Sequence, residues 1–283
     1  MGSIADYAPL RMAEAGAVPT AAPATVIDHC GLLLPHTQSH NYAGASWQVL
    51  GRDSQLVMVN LKPDEELMME PGALVHANEG VEPNVTMGGC KDALQRSCCA
   101  GESLFRLHYK NKTRAYQALS LTPAYPAKVV PVDLTRYSGM TIQKMSYFAT
   151  TGTDLKFSTY MPAKIGACIG GGNLLMTRIT GSGIVFLSGG GTIVQKQLAP
   201  GEKYVLDTDC FMACEHTVSL SVRCAGDFKL ALCGGKGIFN TELQGPGLII
   251  FQSMPAKKAA AAYFAGAGGG GGDGGGGDGG GGG

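Results

Sequence analysis

The chain has 283 residues, 45% of them hydrophobic and only 16% charged, so it can bury a large core and falls in the size range of one large β domain. Lys plus Arg and Asp plus Glu stand at 22 each, which leaves no net field to draw in a polyanion, so nucleic acid is excluded as an expected partner. The nine cysteines are odd in number and spread out, with Cys98 and Cys99 adjacent. That usage suits reduced, mostly buried thiols and not a disulfide-stapled secreted domain.

Residues 1–40 are Ala, Pro and small polar residues with little periodicity and read as a flexible leader. Within it, Gly31-Leu-Leu-Leu-Pro35 is the stretch expected to dock locally. Residues 1–28 hold one Arg, Arg11, against Asp6, Glu14 and Asp28, unlike a mitochondrial presequence, and no secretory apolar core follows a basic flank. Met1-Gly2 begins like a myristoylation site, but Asp6 stands where Ser or Thr is required. No apolar run reaches 18 residues, so no transmembrane segment is expected. The expected compartment is cytoplasmic.

Residues 41–255 read as one β domain. Met140-Thr-Ile-Gln, Val218-Ser-Leu-Ser-Val222 and Phe228-Lys-Leu-Ala-Leu232 alternate apolar with polar or small residues, as strands with one core face do. Ile184-Val-Phe-Leu187 and Leu248-Ile-Ile-Phe251 are unbroken apolar runs bounded by Gly, the pattern of strands covered on both faces. Thr180-Gly-Ser-Gly183 and Gln244-Gly-Pro-Gly247 are expected to be hairpin corners. Lys110-Asn-Lys-Thr113, at the equivalent place of an earlier copy, must build its turn differently. Cys90–Cys99 reads as a surface insertion, with a short helix around Lys91–Arg96. Residues 256–283 are assigned to a disordered Gly-rich tail; from Gly268 on, only Asp273 and Asp278 interrupt the glycines. A tail with almost no side chains to bury cannot offset its ordering entropy. Removing residues 266–283 is therefore expected to leave the melting temperature unchanged.

Two phrases recur three times. The first starts at Gly101, Gly171 and Gly235, at spacings of 70 and 64; the second runs Leu67–His76, Met140–Ala149 and Tyr204–Ala213, at spacings of 73 and 64. Agreement between independent phrases predicts an all-β body of three pseudo-equivalent β repeats about an approximate threefold axis, beginning near Gln48, Pro131 and Thr192.

The candidate chemistry is thin. Leu61-Lys-Pro-Asp-Glu65 and Leu198-Ala-Pro-Gly-Glu202 repeat at an offset of 137. Their glutamates could form an acid–base pair, but the simpler reading is a turn whose Glu caps backbone amides. His76 with Glu79 is the nearest approach to a cupin-like metal set. His36 and His40 have metal-pair spacing without a helical pattern. Cys210, Cys214 and His216 carry zinc-compatible ligand types, yet a four-residue separation on a strand is about 13 Å, too far for shared ligation. Gly170-Gly-Gly-Asn173, Ser188-Gly-Gly-Gly191 and Gly235-Lys-Gly lack the P-loop hydroxyl and helix. No catalytic, cofactor-binding or metal residue is assigned, and no cofactor is expected.

Glu70-Pro-Gly-Ala-Leu-Val, Gly80-Val-Glu82, Gly101-Glu-Ser-Leu-Phe105, Pro131-Val-Asp-Leu134, Phe148-Ala149, Leu174 to Gly183 with Phe186-Leu-Ser, Leu198-Ala-Pro-Gly-Glu202 and Gly245-Pro-Gly with Phe251-Gln-Ser253 follow in one order. This series resembles the altered-inheritance-of-mitochondria family over roughly Tyr42–Met254. The resemblance implies a β-sandwich like that of the tryptophan RNA-binding attenuator protein, homo-oligomers, and no established catalytic or cofactor residues. It also implies mitochondria as the alternative compartment and a link to membrane organisation. The expected function is a non-enzymatic oligomeric scaffold or binding protein with an unknown protein partner and peripheral membrane association. The alternative is a small-molecule-binding or hydrolytic β enzyme using Glu65, His76 or Glu202.

Overall fold

The computed structural model describes residues 25–27, 32–34, 40–41, 46–87, 105–160, 176–224 and 239–267. The strands begin with β1 (Thr25–Ile27), β2 (Leu32–Leu34), β3 (His40–Asn41), β4 (Ser46–Gly51), β5 (Gln55–Leu61), β6 (Glu66–Met69) and β7 (Leu74–Ala77). Next come β8 (Val81–Met87), β9 (Phe105–Asn111), β10 (Gln117–Leu121), β11 (Lys128–Asp133), β12 (Met140–Gln143), β13 (Tyr147–Tyr160) and β14 (Met176–Gly189). The last are β15 (Ile193–Leu198), β16 (Lys203–Asp207), β17 (Phe211–Glu215), β18 (Ser219–Cys224), β19 (Phe239–Gln244) and β20 (Gly247–Gln252), ahead of a helix α1 (Ala256–Ala267).

The fold is all-β, as the strand-like patterning requires, and its ladders are antiparallel. A 12-stranded sheet runs β1-β2-β15-β20-β17-β12-β14-β13-β6-β9-β8, with β11 also on β14; a five-stranded sheet runs β3-β4-β5-β10-β7, and a three-stranded one β16-β19-β18. Alternation decides which residues are inside. Along β5, Gln55, Val57, Val59 and Leu61 are buried and the residues between them are not. β14 shows the other regime. Ile184 and Phe186 enter one core with Trp47, Val57 and Leu67, whereas Val185 and Leu187 enter a second with Ile142, Ala213 and Ile250. Trp47 meets Phe186 edge-on at 5.7 Å between ring centroids. β20 likewise sends Leu248 and Ile250 to the second core and Ile249 to a third, with Leu206, Phe211, Leu220 and Leu243. The unbroken apolar runs are thus doubly covered strands. β12 is covered too: Thr141 is buried although its place in the alternation is polar, and it lies opposite Cys214 of the third core.

The ladders follow a regular plan. β5 pairs with β10, β11 with the second half of β14, and β15 with β20. β7 pairs with β10, the first half of β13 with the second half of β14, and β17 with β20. β6 joins β9, β12 joins the first half of β14, and β16 joins β19. β8 joins β9, the second half of β13 joins the first half of β14, and β18 joins β19. Two further ladders link one set to the next: β13 to β6, with Ala149 opposite Met69, and β17 to β12, with Ala213 opposite Ile142.

Three expectations need correction. Thr180–Gly183 is no hairpin corner; it lies inside β14, where the register against β13 shifts between Thr153 and Lys156. Gly183, at φ +156, lies so close to its neighbour that a Cβ there would meet the Thr151 carbonyl oxygen at 2.0 Å, so these glycines serve a close backbone crossing and not a reversal. Gln244–Gly247 is a corner but not a hairpin, since β19 and β20 belong to different sheets. Residues 256–267 are helical and not part of a disordered tail. Pro255 precedes a run rich in Ala, the strongest helix former, and Lys257 and Lys258 reach Asp209 and Asp207 at 3.0 and 2.8 Å.

Part of the leader also belongs to a sheet: β2 pairs with β15, Leu33 opposite Gln195. The Lys110–Thr113 turn is built by Asn111, whose amide donates to the carbonyls of Leu61 and Ala115 at 3.0 and 2.8 Å while its oxygen accepts from the Thr113 amide at 2.9 Å. The Cys90–Cys99 insertion with its Lys91–Arg96 helix, Phe228–Leu232, His36, Gly170–Asn173, Gly235-Lys-Gly and residues 268–283 lie outside the described residues.

Candidate functional site

Glu65 and Glu202 occupy the same turn built twice. Glu65 Oε2 accepts from the Lys62 backbone amide at 2.8 Å, and Glu202 Oε2 from that of Ala199, also at 2.8 Å. The residues before them, Asp64 and Gly201, both have left-handed backbone, at φ 61 and 78. The shared Leu-x-Pro-x-Glu is therefore a capped turn joining two strands. Glu202 also pairs with Lys196 at 3.1 Å. Its carboxyl is held below its ordinary pKa, first by the Ala199 amide and then by Lys196.

The glutamates are not brought together. Glu65 precedes β6 and Glu202 follows β15, and five strands separate β15 from β6 in the hydrogen-bonded order. His76 is exposed on β7, opposite Ser120 of β10.

The Cys210–His216 segment is split among three settings. Cys210 ends a 3-10 turn, Thr208–Cys210, with the Asp207 side chain accepting from the Asp209 amide. Lys258 Nζ lies 3.4 Å from the Cys210 sulfur. Cys214 points into the third core, where burial pushes its thiol up to about 12. His216 follows β17, its backbone amide donating to the Gly139 carbonyl at 3.1 Å. Among the described residues, no group of three or more His, Cys, Asp and Glu is placed to hold a metal ion. The expectation that Cys210 and Cys214 lie on one strand fails at Cys210, because the chain coils once before β17 begins.

What the fold presents instead is edge. β7 ends the five-stranded sheet and β16 ends the three-stranded one, so among the described residues each has a single ladder partner. Each carries an exposed aliphatic side chain, Val75 at 53% and Val205 at 44%. Exposed β-branched residues on an edge strand are a ready template for pairing with another chain. Val75 and His76 are adjacent and both exposed, so no alternation in the sequence marks this strand, and edge position itself depends on tertiary pairing.

No helix among the described residues is long and apolar enough to cross a membrane. No curated protein matches the chain. In fold it is similar to protein SPYM3_0169 of Streptococcus pyogenes, known from a crystal structure, with a TM-score of 0.63 and 20% identity over 78% of this chain and 99% of that one. The family model described as "Mitochondrial biogenesis AIM24" matches residues 47–254. That span begins with the core residue Trp47 and ends just beyond β20, so it takes in all three cores and strands β5 to β20. The chain belongs to the mitochondrial biogenesis AIM24 family.

Proposed function

We propose that the chain is a non-enzymatic scaffold that assembles as a homo-oligomer and serves the mitochondrial biogenesis role of its family by binding a partner protein, with peripheral membrane association. The observation that carries the reading is the pair of strand edges left over by the ladder plan. Among the described residues four kinds of ladder each occur three times, which supports three pseudo-equivalent units, but the ladder between units occurs only twice, as β13 on β6 and β17 on β12. β7 holds the place in its unit that β13 and β17 hold in theirs, and β16 the place of β6 and β12. They are the complementary strands left without that ladder. A second copy offers β7 the β16 that it lacks, a heterologous contact that builds rings or chains of subunits.

The use of Glu65 and Glu202 as turn caps supports a non-enzymatic reading, because a carboxylate tied to a backbone amide is a structural group in both copies. Light scattering on the purified full chain over a dilution series tests the proposal. A mass of several subunits that falls on dilution is expected, and a monomer at all concentrations overturns it. Fractionation of cells distinguishes a cytoplasmic chain from a mitochondrial one.

A further inference from the structure

Three ladders share one irregularity. Where β7 runs against β10, β13 against β14 and β17 against β20, the register skips a single residue, Val75, Phe148 or Met212. The residue after it is His76, Ala149 or Ala213, opposite Ser120, Phe186 or Ile250. In the second and third units these side chains line the core of the unit before. Phe148, Ala149 and Phe186, with Ile184 two residues before Phe186, lie in the first core. Met212, Ala213 and Ile250, with Leu248, lie in the second. Their counterparts in the first unit are Val75, His76 and Ser120, with Ala118. Among the described residues the third core takes nothing from β7 or β10, and Val75 and His76 are exposed. One lining set is thus without a core, and one core without its lining set.

Size and polarity both fit that place. The lining pairs combine a small and a larger side chain, Ala149 with Phe186 and Ala213 with Ile250; Ser120 with His76 keeps the combination and reverses its order. Ser120 is only 1% exposed, and its Oγ is buried with no hydrogen-bond partner among the described residues. A buried hydroxyl in that state is unfavourable. His76 lies directly across the ladder from it, within side-chain reach. A neutral imidazole has one ring nitrogen free to accept the Ser120 proton, and an imidazolium has none.

Resting on the assembly proposed above, we infer that Val75, His76, Ala118 and Ser120 are the surface with which one copy completes the third core of a second. Enclosed there, the His76 imidazole is neutral and accepts the Ser120 hydroxyl. The assembly is therefore acid-sensitive. The internal ladders set the register. Ala149 is opposite Met69 and Ala213 opposite Ile142, each pair within one core, so the same offset puts His76 opposite Leu206 of the second copy, a third-core residue. The groups facing His76 are Ser120 on β10, Asn78 two residues on in its own chain and, across the contact, Leu206 with Thr241 opposite it on β19; none is charged. Asp207 adjoins Leu206 but takes the other face of β16 by alternation and is held by Lys258 at 2.8 Å. Glu79 follows Asn78, outside β7. A protonated imidazole in this setting has no carboxylate to pair with.

Light scattering on the full-length protein at one concentration, from about pH 7.5 down to about pH 5.5, tests the surface. Assembly is favoured while the imidazole is neutral and is lost as pH falls, with association weakening by up to about tenfold per pH unit below the ordinary imidazole value of about 6.5. The mass is thus expected to drop across this range. His76→Gln keeps a comparable size and an acceptor but carries no charge, and is expected to assemble equally at both ends. Ser120→Ala is expected to weaken association at neutral pH by about two- to tenfold. An oligomer whose mass ignores pH, a pH dependence that persists in His76→Gln, or unchanged association of Ser120→Ala overturns this surface and leaves assembly standing. A parent protein that is monomeric at every pH overturns the assembly and the surface together.

Discussion

β14 and the two edge strands β7 and β16 are made from similar residues and put to opposite uses. β14 is paired on both sides by β11, β12 and β13, and Ile184–Leu187 divide their side chains between two cores, none more than 2% exposed. β7 and β16 are paired on one side and leave Val75 and Val205 half in water. Apolar surface buried on both faces stabilises the fold. The same surface left at an edge contributes little to stability and is available to a partner. On the proposed reading stability and association are located in different strands, and substitutions can address them separately.

The largest effect is expected at the doubly covered strand. Phe186→Asp places an unpaired charge between Trp47, Phe148 and the first core, at a cost of about 4 kcal/mol or more, comparable with the whole stability of a typical domain. The expected outcome is an unfolded chain by circular dichroism. Gly183→Ala follows at about 2–3 kcal/mol, because its Cβ collides with a backbone carbonyl that cannot move aside; a urea midpoint equal to that of the parent would show that the crossing is looser than described. Val75→Asp should change stability by no more than about 0.5 kcal/mol while reducing the oligomer. If it unfolds the chain, the contrast between covered and edge strands fails.

The smallest effect is at a turn. The Glu202 carboxyl has a depressed pKa in the fold, so its contribution is present above the unfolded value near 4.5 and is lost as pH falls through the lower folded value. Glu202→Gln should therefore flatten part of the acid limb of stability against pH, with the variant slightly less stable than the parent at neutral pH and equal to it at low pH. Urea titrations from pH 7 downward on both proteins check this, and parallel acid limbs would remove the cap from the account.

The all-β class was legible because alternation and doubly apolar runs are local patterns, as in Val218–Val222 and Ile184–Leu187. The Glu65 and Glu202 caps were legible because both turns share Leu-x-Pro-x-Glu. What was not legible depended on partners far along the chain. Gly181 and Gly183 look like turn residues, and only the crossing with Gly152 of β13 shows that they keep a long strand continuous. The Ala-rich segment before the glycines was grouped with them by composition, whereas Asp207 and Asp209, some 50 residues earlier, meet its lysines.

Complementary charges at the two edges test the central claim most directly. Val75→Lys and Val205→Asp are each expected to give a folded monomer by light scattering, since each edge strand loses its apolar contact. An equimolar mixture of the two is expected to recover the oligomer, because the introduced ammonium on β7 of one variant meets the introduced carboxylate on β16 of the other, while the unaltered β7 and β16 of the two variants still pair with each other. If both variants keep the mass of the parent protein, or if the mixture stays monomeric while the parent is oligomeric, β7 and β16 are not the strands that join one copy to the next.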